Sequence, residues 1–359
     1  MRVLQLIDSL DTGGAERVAV NLANGLSQRI NGSFLCATRK EGLLKESLSR
    51  DVKYLFLNKQ QTIDTRAIKV LNKFIKSNNI NIIHAHSSSF FLATIIKMFN
   101  NKVSIIWHDH YGDSEFLKNR KYRVLSICSK NFSHIVSVNK HLESWAKKKL
   151  KTKEVTYLPN YTTFSKNLSV TKLEGLEGKR VVCLANLRPQ KDHFTLISAF
   201  KNVVTLYPDW TLHCIGKDFN DKYAENVKLK IENLGLQKSI FVYGGKADVF
   251  NILDQCEVGV LSSKSEGLPI ALLEYGLAKL AVVATKVGEC GNVVINKQNG
   301  LIINPIDSDA LSRALILYLE DKDLRKLYST RFKMHIQKKF SEVSHLDRIL
   351  NIYKNSATT

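Results

Sequence analysis

The stretch LSSKSEGLPIALLEYGLAKLAVVAT, at residues 261–285, decides how the second half of this chain folds. It opens at the end of an apolar run that is short enough for a buried strand. A polar loop follows, and from Pro269 an apolar helical pattern continues to about Lys279. Proline is favoured in the first turn of a helix, where its missing N–H costs nothing. We therefore expect a helix start whose free N–H groups face a loop, a place suited to anionic or hydroxyl-rich ligands.

Two carboxylates frame this helix start. Glu266 lies in the loop, and Glu274 lies within the otherwise apolar helix pattern. A helix rises about 1.5 Å per residue, which puts the two residues roughly 12 Å apart along the axis. That separation is too large for a paired acid/base dyad, whose carboxylates lie roughly 5 to 9.5 Å apart, but it suits two ends of one elongated polar ligand. A partly exposed helix glutamate is the alternative for Glu274; its apolar neighbours favour the ligand.

The pattern Glu266-x7-Glu274, with Gly267 and Pro269 between, resembles the signature of retaining nucleotide-sugar glycosyltransferases, family 4 in particular. The resemblance implies an α/β fold of GT-B architecture, in which two Rossmann-like domains with parallel sheets face a central cleft. It also implies metal-independent transfer of a sugar to an acceptor hydroxyl, with retention at the anomeric carbon.

The size and composition of the chain suit that fold. Its 359 residues are enough for two domains, and contents of 44% hydrophobic and 24% charged residues are those of a globular protein. We expect an acceptor-binding domain at residues 1–165 and a nucleotide-sugar-binding domain at residues 175–340. In the resembled fold the amphipathic tail, residues 341–359, packs back on the first domain. Six scattered cysteines predict reduced thiols in a cytoplasmic protein.

Basic residues are concentrated in the first half of the chain. Residues 1–170 hold 27 Lys and Arg against 12 Asp and Glu, whereas the remainder holds 26 against 21. Such a surface could bind nucleic acid, anionic lipid or a polyanionic substrate, or could be merely solvated. Residues 116–129, which include Lys118, Arg120 and Arg123, have the pattern of an amphipathic helix on an anionic membrane. We find no nucleic-acid-binding module, so nucleic acid is not an expected partner.

The first predicted strand, residues 3–7, leads into a loop containing Gly13, Gly14 and Glu16. Strand, Gly-Gly loop and helix open a Rossmann-type half, but the loop is not Gly-x-Gly-x-x-Gly, which argues against NAD. In the resembled family this segment lies beside the acceptor and the donor phosphates, which implies Gly14 on the donor side and Gly13 and Glu16 on the acceptor side. A turn that needs positive φ is the structural alternative.

Four histidines follow two later strands, at the strand ends where α/β sheets place ligands: His84, His86, His108 and His110. Residues i and i+2 of a strand point the same way, so either pair could bind zinc. No acidic third ligand stands in an obvious motif. The resemblance explains the residues without a metal: His110 matches a histidine that orients the donor sugar, with His108 as second choice. His84 and His86 then lie on the acceptor side or shape the cleft floor.

Cations for the donor diphosphate are expected after the strand that opens the second half. The resembled family carries Gly-Arg-Leu…Lys-Gly there, and Lys191 matches the lysine. Asn186 stands where the family has arginine, but Arg188 lies two residues on and could supply the fork-shaped donor. Gly244 belongs to a Gly-Gly loop that resembles the one contacting the nucleotide base through its backbone.

The remaining roles follow from the resemblance. Glu266, with the backbone at Gly267, Leu268 and Pro269, would hold the sugar, and Glu274 the ribose hydroxyls. His110, Glu266, Arg188 and Lys191 form the expected catalytic group, with no cofactor and no metal.

The donor would be a UDP- or GDP-sugar, and the acceptor a lipid-linked glycan of bacterial surface polysaccharide assembly at the inner face of the plasma membrane. A nucleotide-sugar epimerase of the same fold would instead turn over the donor alone. A histidine-metal hydrolase would lose activity with a chelator.

Overall fold

The computed structural model describes residues 1–164 and 170–357. The chain forms two compact units, the first made of Met1–Tyr161 and Glu342–Thr359, the second of Thr162–Ser341. The predicted domain boundary at residue 165 and the last two residues of the predicted tail lie outside the described residues. No helix within the described residues is long and apolar enough to cross a membrane.

The first unit is built on a seven-stranded parallel sheet. Its strands are β1 (Arg2–Ser9), β2 (Gly32–Lys40), β3 (Lys53–Phe56), β4 (Ile82–His86), β5 (Ser104–Asp109), β6 (Phe132–Ser137) and β7 (Val155–Tyr157). Their order is β3-β2-β1-β4-β5-β6-β7. The connecting helices are α1 (Gly14–Ser27), α2 (Thr65–Ser77), α3 (Phe90–Phe99), α4 (Arg123–Cys128) and α5 (Lys140–Lys149). Strands covered by helices on both faces read as continuous apolar runs, as β1 does.

The second unit repeats this plan with six strands, β8 (Arg180–Leu184), β9 (Thr211–Ile215), β10 (Ile240–Val242), β11 (Val258–Leu261), β12 (Ala281–Thr285) and β13 (Leu301–Ile303). Their order is β10-β9-β8-β11-β12-β13. The helices are α6 (His193–Leu206), α7 (Lys222–Asn233), α8 (Val249–Leu253), α9 (Ile270–Leu277), α10 (Cys290–Val293), α11 (Ser308–Glu320) and α12 (Lys322–Lys339). Both sheets follow the doubly wound order, which confirms the prediction of two Rossmann-like domains.

The last helix, α13 (Glu342–Ala357), belongs to the first unit, where it packs against α1, β5 and β6. Its buried face carries Leu346, Ile349 and Tyr353. Helix starts throughout the chain follow their sequence signals: Asp64, Asp221 and similar residues accept a hydrogen bond from the backbone N–H three positions on.

The amphipathic helix expected at residues 116–129 does not form as one element. A 3₁₀ segment covers Ser114–Asn119, and α4 begins only at Arg123. Arg120, between them, is buried and pairs with Asp109 through two hydrogen bonds of 2.7 and 2.8 Å. Its guanidinium also stacks on the rings of Tyr111 and Trp145, at 4.3 and 4.2 Å. The helical pattern predicted Arg120 as a surface cation, because Asp109, Tyr111 and Trp145, which contact it, lie outside residues 116–129.

Candidate functional site

In the second sheet the strand order reverses between β8 and β11, the position where sheets of this kind bind ligands. The two strands pair at Val258↔Val181 and Gly259↔Val182. The Tyr275 hydroxyl, from α9, then accepts a hydrogen bond from the Leu184 N–H at 2.7 Å and lies 3.2 Å from the Val260 carbonyl. Tyr275 therefore bridges the two strands beyond their last pair.

Gly259 makes room for that bridge. A Cβ atom at Gly259 would lie 2.6 Å from the Tyr275 ring, closer than real Cβ contacts allow. The close approach places α9 directly on β11, and it sets the position of Glu274, one residue before Tyr275. A glycine inside a strand is a known sign of such a close approach.

The loops that follow β8 and β11 meet through an ion pair. Lys191 Nζ lies 2.6 Å from Glu266 Oε1, and both side chains are largely buried, with 21% and 5% exposed. Glu266 Oε1 also accepts a hydrogen bond from the Ser263 hydroxyl at 2.6 Å. The structure thus brings together the predicted diphosphate cation and the predicted sugar-binding carboxylate, although 75 residues separate them in the chain.

Backbone contacts fix this meeting of loops. The Ser262 hydroxyl donates to the Lys191 carbonyl at 2.9 Å, and the Lys264 N–H donates to the Gln190 carbonyl at 2.7 Å. On the other side, Gly288 takes a φ of 49° and leaves no space for a Cβ, which would lie 2.1 Å from the Glu266 carbonyl oxygen. The geometry of the ion pair is therefore set by the scaffold before any ligand binds.

Asp192, the residue after Lys191, stands where the family pattern Gly-Arg-Leu…Lys-Gly has its last glycine. Its φ of 50° lies in the left-handed region, which aspartate tolerates better than most residues. Asp192 also caps α6 by accepting from the Thr195 hydroxyl at 2.7 Å and the Thr195 N–H at 3.4 Å. Aspartate at this position therefore adopts a left-handed conformation that glycine would also allow.

Arg188 does not join the Lys191–Glu266 pair. It is exposed, and its guanidinium stacks on the Phe219 ring at 4.6 Å. Asn186, at the family arginine position, accepts a hydrogen bond from the Lys217 N–H at 2.7 Å and so ties two loops together. The contact of Asn186 is therefore a structural one between loops. Arg188 and Lys217 both lie over the Phe219 ring, so two cations stand beside one aromatic side chain.

Helix α9 begins one residue later than the sequence pattern predicted. Pro269 is the N-cap, with an extended backbone, and the helix covers Ile270–Leu277 rather than reaching Lys279. Lys279 lies beyond the helix with a φ of 62°. Glu274 is buried within α9, with 4% of its surface exposed, and Leu268 before the helix is buried as well. The interpretation of Glu274 as a partly exposed helix residue is therefore wrong.

Gly244 lies beyond the end of β10 with a φ of 71°, a conformation that favours glycine. Its carbonyl accepts a hydrogen bond from the Gly216 N–H at 3.0 Å, which joins the loops after β9 and β10.

In the first unit, Gly13 is the N-cap of α1 and has an extended φ of −133°. The alternative of a positive-φ turn is therefore wrong for Gly13. A Cβ there would lie 2.2 Å from Glu16 Oε2, so the missing side chain makes room for the Glu16 carboxylate. That carboxylate accepts a hydrogen bond from the Ser9 hydroxyl at 3.1 Å. Gly14 is the first residue of α1.

The four histidines form one cluster on β4 and at the end of β5, beside the switch point of the first sheet between β1 and β4. His84 Nε2 lies 3.2 Å from His108 Nδ1, and His86 Nδ1 lies 3.0 Å from His110 Nε2. Gln5 on β1 and Tyr353 on α13 complete the cluster: His86 Nε2 contacts Gln5 Oε1 at 2.8 Å, and His84 Nδ1 contacts the Tyr353 hydroxyl at 2.6 Å.

Burial sets the charge of this cluster. It lowers the pKa values of His84, His86 and His108 well below their usual range and lowers that of His110 to about 3. Neighbouring histidines act in the same direction. The rings are therefore neutral near pH 7. One ring nitrogen from each of His84, His86 and His108 lies within 4.8 Å of the others, close enough to hold a metal ion. Hydrogen bonds already occupy both ring nitrogens of His84 and His86, whereas His108 Nε2 has no partner among the described residues.

Two family models match the chain almost end to end. Residues 12–162 match glycosyltransferase family 4, and residues 166–333 match glycosyl transferases group 1. The chain is a two-domain glycosyltransferase of the family 4 type. The predicted family and enzyme class are thereby confirmed.

Curated relatives of this glycosyltransferase cover nearly its full length. An uncharacterised glycosyltransferase of Haemophilus influenzae is 23% identical over 354 residues, 95% of each chain. The UDP-Gal:alpha-D-GlcNAc-diphosphoundecaprenol alpha-1,3-galactosyltransferase of Escherichia coli is 24% identical and covers 95% of this chain and 93% of its own. Among solved structures, Anabaena HepE in complex with UDP and glucose superposes with a TM-score of 0.82 at 18% identity, covering 99% of both chains. This likeness supports the GT-B fold.

Sequence reasoning on this glycosyltransferase missed Gln5, Tyr353, Tyr275 and the burial of Arg120. Gln5 was a usable signal, because a polar residue within the apolar run of β1 must find a buried partner. Tyr353 was assigned to an apolar helix face, and nothing in its neighbours indicates that its hydroxyl reaches a histidine 269 residues away.

Proposed function

We propose that this glycosyltransferase transfers a sugar from a UDP- or GDP-sugar to a hydroxyl of a lipid-linked glycan, with retention at the anomeric carbon. The observation that carries the proposal is the Lys191–Glu266 pair at the switch point of the second sheet. A rigidly held cation at that position can meet negative charge as it develops on a leaving diphosphate. The Escherichia coli relative, whose name gives a diphosphoundecaprenol-linked acceptor, supports the acceptor class.

The roles that we propose in the second unit rest on the family pattern together with this ion pair. Lys191 stabilises the diphosphate. Arg188, which is three residues earlier in the chain and whose guanidinium stacks on the Phe219 ring, supplies a second cation. Glu266 and the backbone at Gly267, Leu268 and Pro269 bind sugar hydroxyls, and Glu274 binds the ribose. Gly244 contacts the base through its backbone. Two fixed cations replace a metal ion in this mechanism.

In the first unit His110 orients the donor sugar, Gly14 approaches its phosphates, and the acceptor is bound beside Gly13, Glu16, His84, His86 and His108. These assignments rest on the family pattern and on the clustering of the four histidines. No nucleophile is assigned.

The reaction is tested by incubating the full chain with a panel of UDP- and GDP-sugars, with and without an undecaprenyl-diphosphate-linked sugar. We expect nucleotide release that depends on the acceptor, and a product whose anomeric configuration matches that of the donor. Release of an epimerised donor without acceptor would replace the proposal with an epimerase, and an inverted product would remove retention.

We further propose that the first unit binds the anionic inner face of the plasma membrane peripherally. Helices α3 and α4 are in contact and expose four large apolar side chains, named here the α3–α4 surface: Met98, Phe99, Val124 and Ile127, with 77%, 63%, 55% and 68% of their surfaces accessible. Exposed cations lie close by in sequence: Lys102 follows α3, Lys121 precedes α4, and Arg123 begins α4. Exposed apolar side chains with cations close by suit an anionic bilayer surface.

Co-sedimentation with vesicles tests this surface. Ile127→Asp should reduce binding to vesicles containing phosphatidylglycerol by about tenfold, since one apolar anchor is lost and a negative charge is added. Met334→Asp is the matched control. Met334 lies on α12 of the second unit and is 65% exposed, and its substitution changes the net charge by the same amount. Equal effects of the two substitutions would show that net charge alone drives binding.

A further inference from the structure

The histidine cluster of the first unit continues into two hydrogen-bonded arms that start at one side-chain amide, that of Gln5. One arm runs from Gln5 through His86 to His110, and the other from Gln5 through Tyr353 and His84 to His108. Gln5, Tyr353, His84, His86 and His108 are completely buried, whereas His110, at the end of the first arm, is partly buried. Water therefore cannot supply alternative partners among these five buried residues.

With the Gln5 amide in the orientation that the structure shows, the first arm has one consistent direction. The Gln5 carbonyl oxygen can only accept, so His86 must carry its proton on Nε2 across the 2.8 Å contact. A neutral imidazole has one donor and one acceptor, which leaves His86 Nδ1 as an acceptor. His110 must then donate from Nε2 across 3.0 Å, and its Nδ1 is left without a proton.

The second arm has the same direction. The Gln5 amide nitrogen donates to the Tyr353 hydroxyl at 3.3 Å, and that hydroxyl is free to donate to His84 Nδ1 at 2.6 Å. His84 therefore carries its proton on Nε2 and donates to His108 Nδ1 at 3.2 Å. The arm ends at His108 Nε2, which is buried and has no hydrogen-bond partner among the described residues.

We propose that Gln5 couples the tautomers of all four histidines, so that His84, His86, His108 and His110 are each protonated on Nε2 and His110 presents an unprotonated Nδ1. Gln5 is a positioning residue, which acts on His110 through His86. The neutral state that the argument needs agrees with the depressed pKa values that burial gives to these rings.

This coupling has a consequence for the substrate, which rests on the proposed function of His110. An unprotonated Nδ1 accepts a hydrogen bond and cannot donate one. His110 then selects a sugar hydroxyl that donates, rather than a ring oxygen or a phosphate oxygen. Turning the Gln5 amide by half a rotation would reverse every donor along both arms and would make His110 Nδ1 a donor.

Long-range ¹H–¹⁵N correlation spectra of the histidine-labelled full chain test the coupling without substrate, because protonated and bare ring nitrogens have well-separated ¹⁵N shifts. Signals are assigned by single His→Gln substitutions. We expect Nε2–H tautomers at all four positions. Protonation of His110 on Nδ1, or different tautomers within one arm, would overturn the proposal. So would a stoichiometric metal in the purified protein whose removal by chelator shifts these signals.

Two substitutions of similar volume separate the arms. Gln5→Met removes both of its contacts and should give mixed tautomers in both arms. Tyr353→Phe cuts only the second arm, so His84 and His108 should become mixed while His86 and His110 keep one shared tautomer. His345, whose Nδ1 contacts the Pro159 carbonyl at 2.9 Å, lies outside both arms and serves as the internal control for folding. Unchanged His86 and His110 signals in Gln5→Met would refute the coupling.

The activity measurement keeps the two proposals apart. In a chain that transfers sugar, Gln5→Met should lower kcat roughly 10- to 100-fold, as loss of a histidine-orienting partner does at metal sites, with a smaller change in the KM for donor. A wild-type chain that shows the four tautomers but transfers no sugar would refute the proposed function and leave the coupling intact. Wild-type kcat in Gln5→Met with altered tautomers would refute the role of Gln5 in positioning His110.

Discussion

The two units use the same strand order but place opposite kinds of polar groups at the point where it reverses. Beside this position the first unit holds four neutral rings that hydrogen-bond one another, with His84, His86 and His108 fully buried and His110 partly buried. In the second unit it holds a charged pair, Lys191 and Glu266, on loops fixed by backbone contacts. The same topology therefore supports a neutral network, in which the direction of each hydrogen bond matters, and a charged site, in which the position of each charge matters.

The largest expected difference between the units is their response to acid. Burial lowers the pKa values of six histidines in the first unit and three in the second: His84, His86, His108, His110, His134 and His345, against His193, His213 and His335. Below pH 6.5, about the pKa of a histidine in the unfolded chain, these histidines bind protons in the unfolded state but not in the folded state. The free energy of unfolding therefore falls as the pH falls. Each such histidine contributes about 1.4 kcal/mol per pH unit until its folded pKa is reached.

Hydrogen exchange measured by mass spectrometry at pH 7 and pH 5 checks this difference. Peptides from the first unit should lose more protection, after correction for intrinsic rates, than peptides from the second. His134→Gln removes one titrating ring beside Thr156. It should therefore reduce by about one the number of protons that the first unit takes up on unfolding, and so make its stability less dependent on pH. Equal losses in both units would mean that the buried histidines do not dominate acid unfolding.

Removing the cation of the charged site should have the next largest effect. Lys191→Met leaves Glu266 without its ion pair and leaves the leaving diphosphate without a cation, so kcat for sugar transfer should fall roughly 10²- to 10³-fold. Lys191→Arg keeps the charge and should retain much more activity. Steady-state kinetics with a UDP-sugar decide the matter; a Lys191→Met variant as active as Lys191→Arg would exclude Lys191 from the reaction.

Loss of the buried carboxylate on α9 should weaken donor binding. Glu274→Ala removes a charged hydrogen-bonding group, which is worth about 1.5–3 kcal/mol, or roughly 10- to 100-fold in donor affinity. The fold should survive, since alanine favours the helix. Calorimetric titration with UDP measures the effect, and circular dichroism checks the helix. Glu274→Gln, of equal shape, separates loss of charge from loss of volume; wild-type donor affinity in Glu274→Ala would count against the ribose role.

A smaller effect is expected where the scaffold holds Glu266 in place. Gly288→Ala puts a methyl group 2.1 Å from the Glu266 carbonyl oxygen in a left-handed conformation, which should destabilise the second unit by about 1–3 kcal/mol. Gly291→Ala is the matched control, because, apart from its chain neighbours and the backbone of its own helix, no described atom lies within 4 Å of its added methyl group. Urea denaturation compares the two, and equal midpoints would show that the Gly288 loop adjusts freely.

The smallest expected effect concerns the bridge between β8 and β11. Tyr275→Phe removes one hydroxyl and leaves the Leu184 N–H without its acceptor, at a cost of about 1–2 kcal/mol. Thermal unfolding measures this loss. A stable variant with weakened donor binding would show instead that Tyr275 acts mainly by orienting Glu274.

Much of the fold could be predicted from local patterns. Apolar runs gave the strands, and polar caps such as Asp64 and Asp221 marked helix starts, because these signals depend on neighbours within a few residues. The predictions that failed were also local in form. The helix at residues 116–129 did not form as one element, and Arg120 within it turned inward because Asp109, Tyr111 and Trp145 surround it.

The sequence by itself determined the class of fold and the family, and it singled out the residues that we propose face a ligand: Lys191, Glu266, Glu274 and the four histidines. Only the tertiary structure decided their partners. Gln5 reaches Tyr353 across 348 residues, and Lys191 reaches Glu266 across 75. The physical reason is that strand and helix propensities act over a few neighbours, whereas a buried polar group must be satisfied by whatever donor or acceptor the packed sheet brings beside it.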